Sequence, residues 1–408
     1  MLKTVFAPTA LLLPQTAERE KWPVIACDQF TSQPEYWQRA RALVGTAPSA
    51  LELILPEAEL GADLPERLAR IHRRMEEALA AGLFREYPGS FVYVERTLLD
   101  GGVRRGLVGA VDLEEYDYAD RSRAAVRATE KTVVERIPPR QALRRGAALE
   151  LSHVLLLCDD ERCELIEPLT VRCAARSPLY DLELMLGGGR LRGWLIDGGD
   201  AAALQGRIAD YEARRLAAGE TTLYAVGDGN HSLASAKACW EERKAARPGE
   251  DLSEDPARWA MVELENLRDE RQVFEPIHRL VTGLDPDRLL ARLAERCPAE
   301  GLPLPWIAGE RAGLLHLRES ADETAVGQLQ ALLDELVPPL GGALDYIHGD
   351  EALRRLAEGE NAVGFLLPPL DKASLLRSIG SRGVLPRKAF SIGHAQEKRY
   401  YLEARRIK

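Results

Sequence analysis

The clearest helical period of hydrophobic residues in the first half of the chain falls at 63–83. Leu64, Leu68, Ile71 and Met75 repeat at intervals of three and four, with arginine and glutamate between them. This spacing places the apolar side chains on one face and predicts an amphipathic helix with Asp63 as its N-cap.

In most of the remaining first 200 residues the hydrophobic period is two, or the apolar runs are short and continuous. Residues 91–98 and 106–113 flank Asp100-Gly101-Gly102 and predict a β-hairpin. Further strands are predicted at 24–27, 51–55, 151–158, 164–169, 180–185 and 191–196. Together these runs predict a largely antiparallel β region.

After residue 200 the two periods alternate. Helices are predicted at 201–218, 232–247, 350–357 and 372–379, and strands at 221–226, 259–264 and 362–367. The fold class expected is α/β or α+β, with a mixed, largely antiparallel β region and a C-terminal α/β portion. Three regions are predicted: a mixed β-rich region at 1–199, a glycine-turn helix region at 200–284 that packs on it, and a C-terminal α/β region at 285–408.

Composition narrows the function classes. The 408 residues carry a net charge of −10, which disfavours non-specific binding to nucleic acid.

The sequence contains no run of about 18 apolar residues, so no membrane span is expected. The apolar stretch near the N-terminus is short and broken by proline, so we expect a cytoplasmic protein without a signal peptide. The six cysteines form no CxxC pair and are expected to be free thiols.

The most informative segment joins the strand at 221–226 to the helix at 232–247. Gly227 and Gly229 permit positive φ and close approach by a ligand, and Asn230 or Ser232 is a possible helix cap. Backbone N–H groups at a helix start bind anions. Asp228 and His231 add a carboxylate that can hold Mg²⁺ and an imidazole suited to a phosphoryl oxygen or to acid–base chemistry. A capped turn with local hydrogen bonds fits the same residues.

A basic stretch precedes the middle of the chain. Arg127, Glu130, Lys131 and Thr132 lie within it, and clustered arginine is suited to clamping phosphate or carboxylate. Glu130 is a candidate general base if it lies near a substrate hydroxyl. The other arginines of the stretch, Arg121, Arg123, Arg136, Arg140, Arg144 and Arg145, are equally consistent with a solvated helix face.

Three further places hold candidate side chains. Cys27 and Asp28 end a predicted strand, where the cysteine is either a nucleophile with His231 as its base or a buried core residue, and Asp28 is expected to line a cleft. His278 and Arg279 are expected in the same pocket or in a structural salt bridge. Arg387 and Lys388 are expected to bind an anion or to remain solvated. The remaining histidines, His72, His153, His316, His348 and His394, are interpreted as structural or exposed.

The run Asp228-Gly229-Asn230-His231 resembles the Asp-Gly-His-His motif of the bacterial family called domain of unknown function 1015. Other segments that resemble this family are 24–37, 127–132, 274–279 and 385–388. The resemblance spans nearly the whole chain.

The same turn is distantly similar to one in the ParB/sulfiredoxin superfamily, which includes nucleotide-dependent kinases of free serine and nucleotide-hydrolysing partition proteins. This resemblance implies a ParB/sulfiredoxin-like element in which Asp228, Asn230 and His231 face phosphate. The chain departs from the pattern because Asn230 replaces a histidine and Ser232 replaces an arginine.

The leading functional expectation is a protein that binds a nucleotide, ATP or ADP, or a phosphorylated small molecule. Mg-dependent phosphoryl transfer to a small hydroxyl substrate is the leading reaction, with Asp228 on the metal and Glu130 or Asp28 as base. The cofactor-binding residues expected are Gly227, Gly229, Asn230, Ser232, Lys131, Thr132, Arg127 and Arg279. The alternatives are a non-catalytic metabolite sensor or adaptor protein and a cysteine-dependent hydrolase that uses Cys27.

Overall fold

The computed structural model describes residues 3–61, 63–132, 137–320 and 323–408. In chain order its strands are Phe6–Ala7 (β1), Thr9–Pro14 (β2), Val24–Ile25 (β3), Phe84–Thr97 (β4), Val103–Asp112 (β5), Tyr116–Asp117 (β6), Val126–Ala128 (β7), Leu149–Leu151 (β8), Leu155–Cys158 (β9), Tyr180–Glu183 (β10), Arg190–Ile196 (β11), Tyr224–Asp228 (β12), Trp259–Asn266 (β13), Phe274–Thr282 (β14), Leu302–Ala308 (β15), Arg311–Leu317 (β16), Ala343–His348 (β17), Ala362–Phe365 (β18), Phe390–Ile392 (β19), Tyr400–Tyr401 (β20) and Ala404–Arg406 (β21). Its helices are Pro34–Val44 (α1), Leu64–Ala80 (α2), Ile137–Gly146 (α3), Glu167–Ala174 (α4), Gly198–Ala217 (α5), Asn230–Ala246 (α6), Pro286–Arg296 (α7), Ala325–Leu336 (α8), Asp350–Ala357 (α9) and Lys372–Arg382 (α10).

The chain divides into two compact units. The first unit comprises Met1–Ala128, Thr132–Gln272 and His394–Lys408, and the second comprises Thr129–Lys131 and Val273–Gly393. The three-region division expected from the sequence stays a prediction.

A large mixed sheet forms the centre of the first unit. Its main strand order is β6-β7-β12-β9-β13-β5-β4-β2-β21-β8, and β1, β10 and β11 pair beside this path. Most neighbours are antiparallel, whereas β7 is parallel to β6 and β12, and β9 is parallel to β13. Leu155, Leu156 and Leu157 are fully buried, as expected for an apolar strand at the centre of a covered sheet.

The second unit alternates helices and strands around a smaller sheet. Its order is β16-β15-β18-β14-β17, with β19 also paired to β14, and all of these pairs are antiparallel. Leu280, Leu353 and Phe365 are among its buried apolar residues.

Most of the predicted elements are present. The amphipathic helix is α2, which buries Ile71 and Met75, and the hairpin is β4–β5 with Thr97 opposite Val103. The α/β class with a mixed, largely antiparallel sheet is confirmed. Among the described residues, no helix combines the length and the apolar character that crossing a bilayer requires.

Two predicted strands are wrong. Residues 51–55 are buried except for Glu52, and Leu51 and Glu52 belong to a 3-10 turn at Ala50–Glu52, where the Ser49 hydroxyl accepts the N–H of Leu51. Residues 164–169 lead into α4 instead, because Pro168 lacks the N–H that a strand needs and fits the first turn of a helix.

Candidate functional site

The glycine turn has the strand–helix geometry expected from the sequence. β12 ends at Asp228, and α6 begins at Asn230. Gly229 between them has φ +81°, and a Cβ at this position would lie 3.0 Å from the Cα of Val154. Both features require glycine here. The N–H groups of Ser232 and Leu233 bond the carbonyl of Gly229, so the first turn of the helix is fully formed.

Asp228 is held at this helix start by two contacts. Its Oδ1 accepts the N–H of Gly229 at 2.8 Å, and its Oδ2 lies 3.2 Å from the Nζ of Lys398. A lysine charge is therefore fixed beside the positive end of the α6 dipole. His231 and Asn230 occupy the first turn of α6 and are half-buried, as is Gly227 on β12.

A buried imidazole connects Asp28 to the same helix. The Nε2 of His153 lies 3.6 Å from the Oδ2 of Asp28 and 3.4 Å from the Oγ of Ser232. Its Nδ1 lies 2.7 Å from the hydroxyl of Tyr401, which also accepts the N–H of Cys27. The hydroxyl of Tyr401 thus connects Nδ1 of His153 to the backbone of Cys27, while Nε2 faces the two oxygens.

The charge of Asp28 is stabilised by this arrangement. Burial raises the pKa of Asp28, but the charge and hydrogen bond of His153, with a hydrogen bond from Gln29, hold that pKa well below its usual range. A carboxylate with so low a pKa is a weak general base and a better orienting group.

Two hydrolase arrangements find no support in this geometry. Burial and the neighbouring Asp28 raise the pKa of the Cys27 thiol to about 11, so little nucleophilic thiolate is present at neutral pH. Ser232 and Asp28 approach the same nitrogen of His153, whereas a serine triad places them on opposite nitrogens.

A cavity of about 110 Å³ lies behind the first turn of α6. Its lining includes Cys27, Arg140, His153, Ser232 and Tyr401, together with apolar side chains. Enclosed sites for drug-sized ligands are several times larger, so this cavity suits only a small group. A second cavity of about 620 Å³ lies in the first unit between α1 and α2, and its lining includes none of the predicted site residues.

The basic stretch contributes mostly structural contacts in the first unit. Arg127 is buried on β7, beside Ala225 of β12, and donates to the carbonyl of Asp120. Burial lowers the pKa of Arg127. Thr132 is also buried, Arg140 pairs with Glu57, and Arg136 lies outside the described residues.

Glu130, Lys131 and Arg279 belong to the second unit. Glu130 bridges to Leu385, and its two carboxylate oxygens accept the N–H groups of Lys388 and Ala389 at 3.0 Å each. Lys131 is exposed. Arg279 is fully buried on β14. Within the second unit the structure therefore brings together residues 129–131, 274–279 and 385–388, which are parts of three segments in which the family resemblance was noted.

His278 has a structural environment. Its Nδ1 accepts the N–H of Leu367 at 3.1 Å, so its Nε2 carries the hydrogen and donates to Asp350 at 2.9 Å. Both ring nitrogens are occupied, which favours the structural interpretation over a catalytic one.

A family model matches residues 8–361, most of the chain, and its description is "Protein of unknown function (DUF1015)". The chain belongs to the DUF1015 family. The family resemblance inferred from the glycine turn and its companion segments is thus confirmed. Comparison with curated proteins gives no match.

Three solved structures show distant similarity to this DUF1015 member. SbnI from Staphylococcus aureus with a C-terminal truncation has a TM-score of 0.36 and 10% identity, over 70% of this chain and 82% of that one. A conserved hypothetical protein from Pyrococcus furiosus has a TM-score of 0.31 and 14% identity, over 72% of this chain and 90% of that one. A free serine kinase variant in complex with ADP has a TM-score of 0.35 and 13% identity, over 72% of this chain and 94% of that one.

Sequence reasoning did not find Lys398 and interpreted His153 only as a structural or exposed residue. Lys398 precedes β20 near the C-terminus, and His153 precedes β9, which pairs with β12 so that Leu155 lies opposite Asp228. Neither residue has a local motif. His153 lies within the apolar run 151–158 that predicts a strand, whereas no element is predicted near Lys398.

Proposed function

We propose that this protein binds a nucleotide, ATP or ADP, or a phosphorylated small molecule, with a phosphate at the start of α6. The supporting observation is the placement of Lys398 by Asp228 next to a helix that begins at a left-handed glycine. Helix N–H groups, the helix dipole and a lysine charge then act on one anion. Gly227, Gly229, Asn230, His231 and Ser232 are the residues proposed to surround it.

The reaction proposed is transfer of the terminal phosphoryl group of ATP or ADP to a small hydroxyl substrate: the P–O bond to the departing ADP or AMP breaks, a P–O bond to the hydroxyl oxygen forms, and the hydroxyl proton passes to solvent. Such transfer depends mainly on positioning and on charge neutralisation, so it does not require a strong base. Asp28, ionised and fixed by His153, is suited to orienting a hydroxyl near Ser232. Glu130, by contrast, already accepts two backbone N–H groups, which suits an anchor better than a base.

Magnesium is proposed to arrive with the nucleotide. Nucleotide-bound Mg²⁺ usually needs only one or two protein carboxylates, and Asp228 is the candidate. Among the described residues no group of three or more histidine, cysteine, aspartate or glutamate side chains is arranged to hold a metal. Binding of the ion to Asp228 would require Lys398 to move from the carboxylate to the phosphate.

Calorimetric titration with ATP, ADP and GTP, with and without Mg²⁺, tests the binding proposal. Lys398→Ala is expected to weaken binding at least about tenfold, because a charge-assisted contact is lost. Lys244→Ala, at the opposite end of α6, is the matched control and should bind as the native protein does. No heat with any nucleotide, or equal binding by Lys398→Ala, would remove the proposal.

A non-catalytic metabolite sensor or adaptor is the second candidate. It is favoured by one observation: Asp28 and Asp228 are already engaged by His153 and Lys398. Phosphorus NMR of ATP or ADP with Mg²⁺ and free serine or other small alcohols distinguishes the two. Binding without any new phosphate ester signal supports the sensor, and a phosphate ester supports the transferase.

A further inference from the structure

Three positively charged side chains surround the ring of Tyr346 in the second unit. The guanidinium carbons of Arg279 and Arg387 lie 4.7 and 5.7 Å from the ring centroid, and the Nζ of Lys388 lies 5.3 Å from it. Each contact with the ring is favourable, but like charges held this close repel one another. An anion among them would relieve that repulsion.

Arg279 is the buried member of this cluster, with 0% of its surface exposed. Its Nε donates to the Oε1 of Gln330 at 2.7 Å, and its Nη1 donates to the carbonyls of Ile277 and Lys388 at 2.6 and 3.2 Å. Its buried Nη2 has no acceptor among the described residues, and none of their carboxylates forms an ion pair with the guanidinium. Burial lowers the pKa of Arg279 to about 10.

A buried guanidinium without a carboxylate partner is unusual, because the cost of removing the charge from water is normally offset by an ion pair. Because Nε and Nη1 already donate within the protein, Nη2 is the guanidinium nitrogen left to donate to an oxyanion.

The acidic groups near the three cationic side chains do not neutralise their charge. Glu130 uses both carboxylate oxygens to hold the N–H groups of Lys388 and Ala389, and so fixes Lys388 in a left-handed conformation with φ 55°. Asp334 accepts from Gln330 but is exposed, so water screens its charge. The side chains of Arg387 and Lys388 are exposed and accessible to a solute.

We propose that Arg279, Arg387 and Lys388 form a binding site for the phosphate group of a small molecule, with Tyr346 as one wall. Three cationic donors match a dianion better than a monoanionic carboxylate. This inference does not rest on phosphate binding at the glycine turn.

Calorimetric titration with inorganic phosphate at constant ionic strength tests the site, with acetate as a second titrant. The informative variant is Arg387→Ala/Lys388→Asn, because both side chains are exposed and asparagine tolerates the left-handed conformation. The matched control is Arg354→Ala/Arg355→Ala, which removes two exposed charges from α9 in the same unit. Lys398→Ala is included because inorganic phosphate is also expected to bind at α6.

The expected result is that the Arg387/Lys388 variant removes one phosphate site or weakens it at least about tenfold, whereas the control and Lys398→Ala retain it. Arg279→Lys, which keeps the charge but loses the Nη2 donor, should weaken the same site. The proposal is overturned if phosphate does not bind, if binding depends on Lys398 alone, or if acetate binds this site as tightly as phosphate. Because the exposed double variant does not disturb the core, the outcome holds even if Arg279→Lys fails to fold.

Discussion

The Nζ of Lys398 lies 3.2 Å from the Oδ2 of Asp228, at the point where β12 ends and α6 begins. The side chains are 12% and 21% exposed, so water reaches both partners. A pair of this kind stabilises the fold only modestly, because solvation of the separated charges offsets most of the attraction. Its importance is expected to lie in placing a charge for a ligand.

A double-mutant cycle of Asp228→Asn and Lys398→Met should therefore give a coupling free energy of about 1 kcal/mol in urea unfolding. The exposed pair Arg74–Glu77 on α2 provides a comparison cycle, for which about 0.3 kcal/mol is expected. A coupling of several kcal/mol at Asp228 would assign the pair a structural role and weaken the case for a ligand.

Gly229→Ala is expected to destabilise the protein by about 2–4 kcal/mol. The left-handed backbone costs a non-glycine residue roughly 1–2 kcal/mol, and the new methyl group also meets the Cα of Val154 at 3.0 Å. Gly82→Ala is the matched control, since Gly82 has φ +66° but open space around its Cβ position. Urea unfolding of both variants separates the backbone cost from the cost of the contact with Val154. Equal losses of unfolding free energy in the two variants would show that the contact with Val154 does not destabilise the protein.

The pH dependence of stability should report the Asp28–His153 contact. The pKa of Asp28 is lower in the folded state than the ordinary value of about 3.9, so its stabilising contribution is complete above that value and is lost as the pH falls through the folded pKa. Asp28→Asn should be less stable than the native protein at pH 7. The difference should shrink steadily below about pH 4, and a difference that stays constant down to the acid transition would contradict the contact.

Local patterns were sufficient for the glycine turn and most of the fold. The period of 63–83 identified α2, and the glycines after an apolar run identified the start of α6, because helix and turn propensities act over a few residues. The strand predicted at 164–169 was wrong because a short apolar run fits the buried start of a helix as well as a strand. Pro168 was the local signal that favoured the helix.

The partners of the turn were not predictable in the same way. His153 reaches Asp28 and Ser232 only through the pairing of β9 with β12, and Lys398 reaches Asp228 from near the C-terminus. The contact of Glu130 with Lys388 likewise depends on a bridge between distant segments. Such contacts follow from sheet register and chain topology, which single-sequence periodicity does not specify.

Alkylation kinetics should show that Cys27 is unreactive in the folded protein. With its pKa raised to about 11, the thiolate fraction at pH 8 is roughly a hundredfold below that of an ordinary cysteine, and iodoacetamide should modify it correspondingly slowly. Peptide mapping of native and urea-unfolded protein measures the difference. If iodoacetamide modified Cys27 rapidly in the folded protein and a ligand blocked that modification, the result would support the cysteine-dependent hydrolase.

Glu130→Gln distinguishes an anchor from a general base. Both oxygens of Glu130 accept backbone N–H groups, and the glutamine amide can offer only one acceptor while its NH₂ group opposes the other donor. The variant is therefore expected to lose about 1–3 kcal/mol of stability and to speed amide exchange at Lys388 and Ala389. Hydrogen exchange resolved at these residues is the measurement, and Glu275→Gln on β14 is the control for removing one carboxylate charge from the same unit. If exchange at 388–389 is unchanged while turnover of a phosphoryl acceptor is lost, Glu130 acts on the substrate and not on the loop.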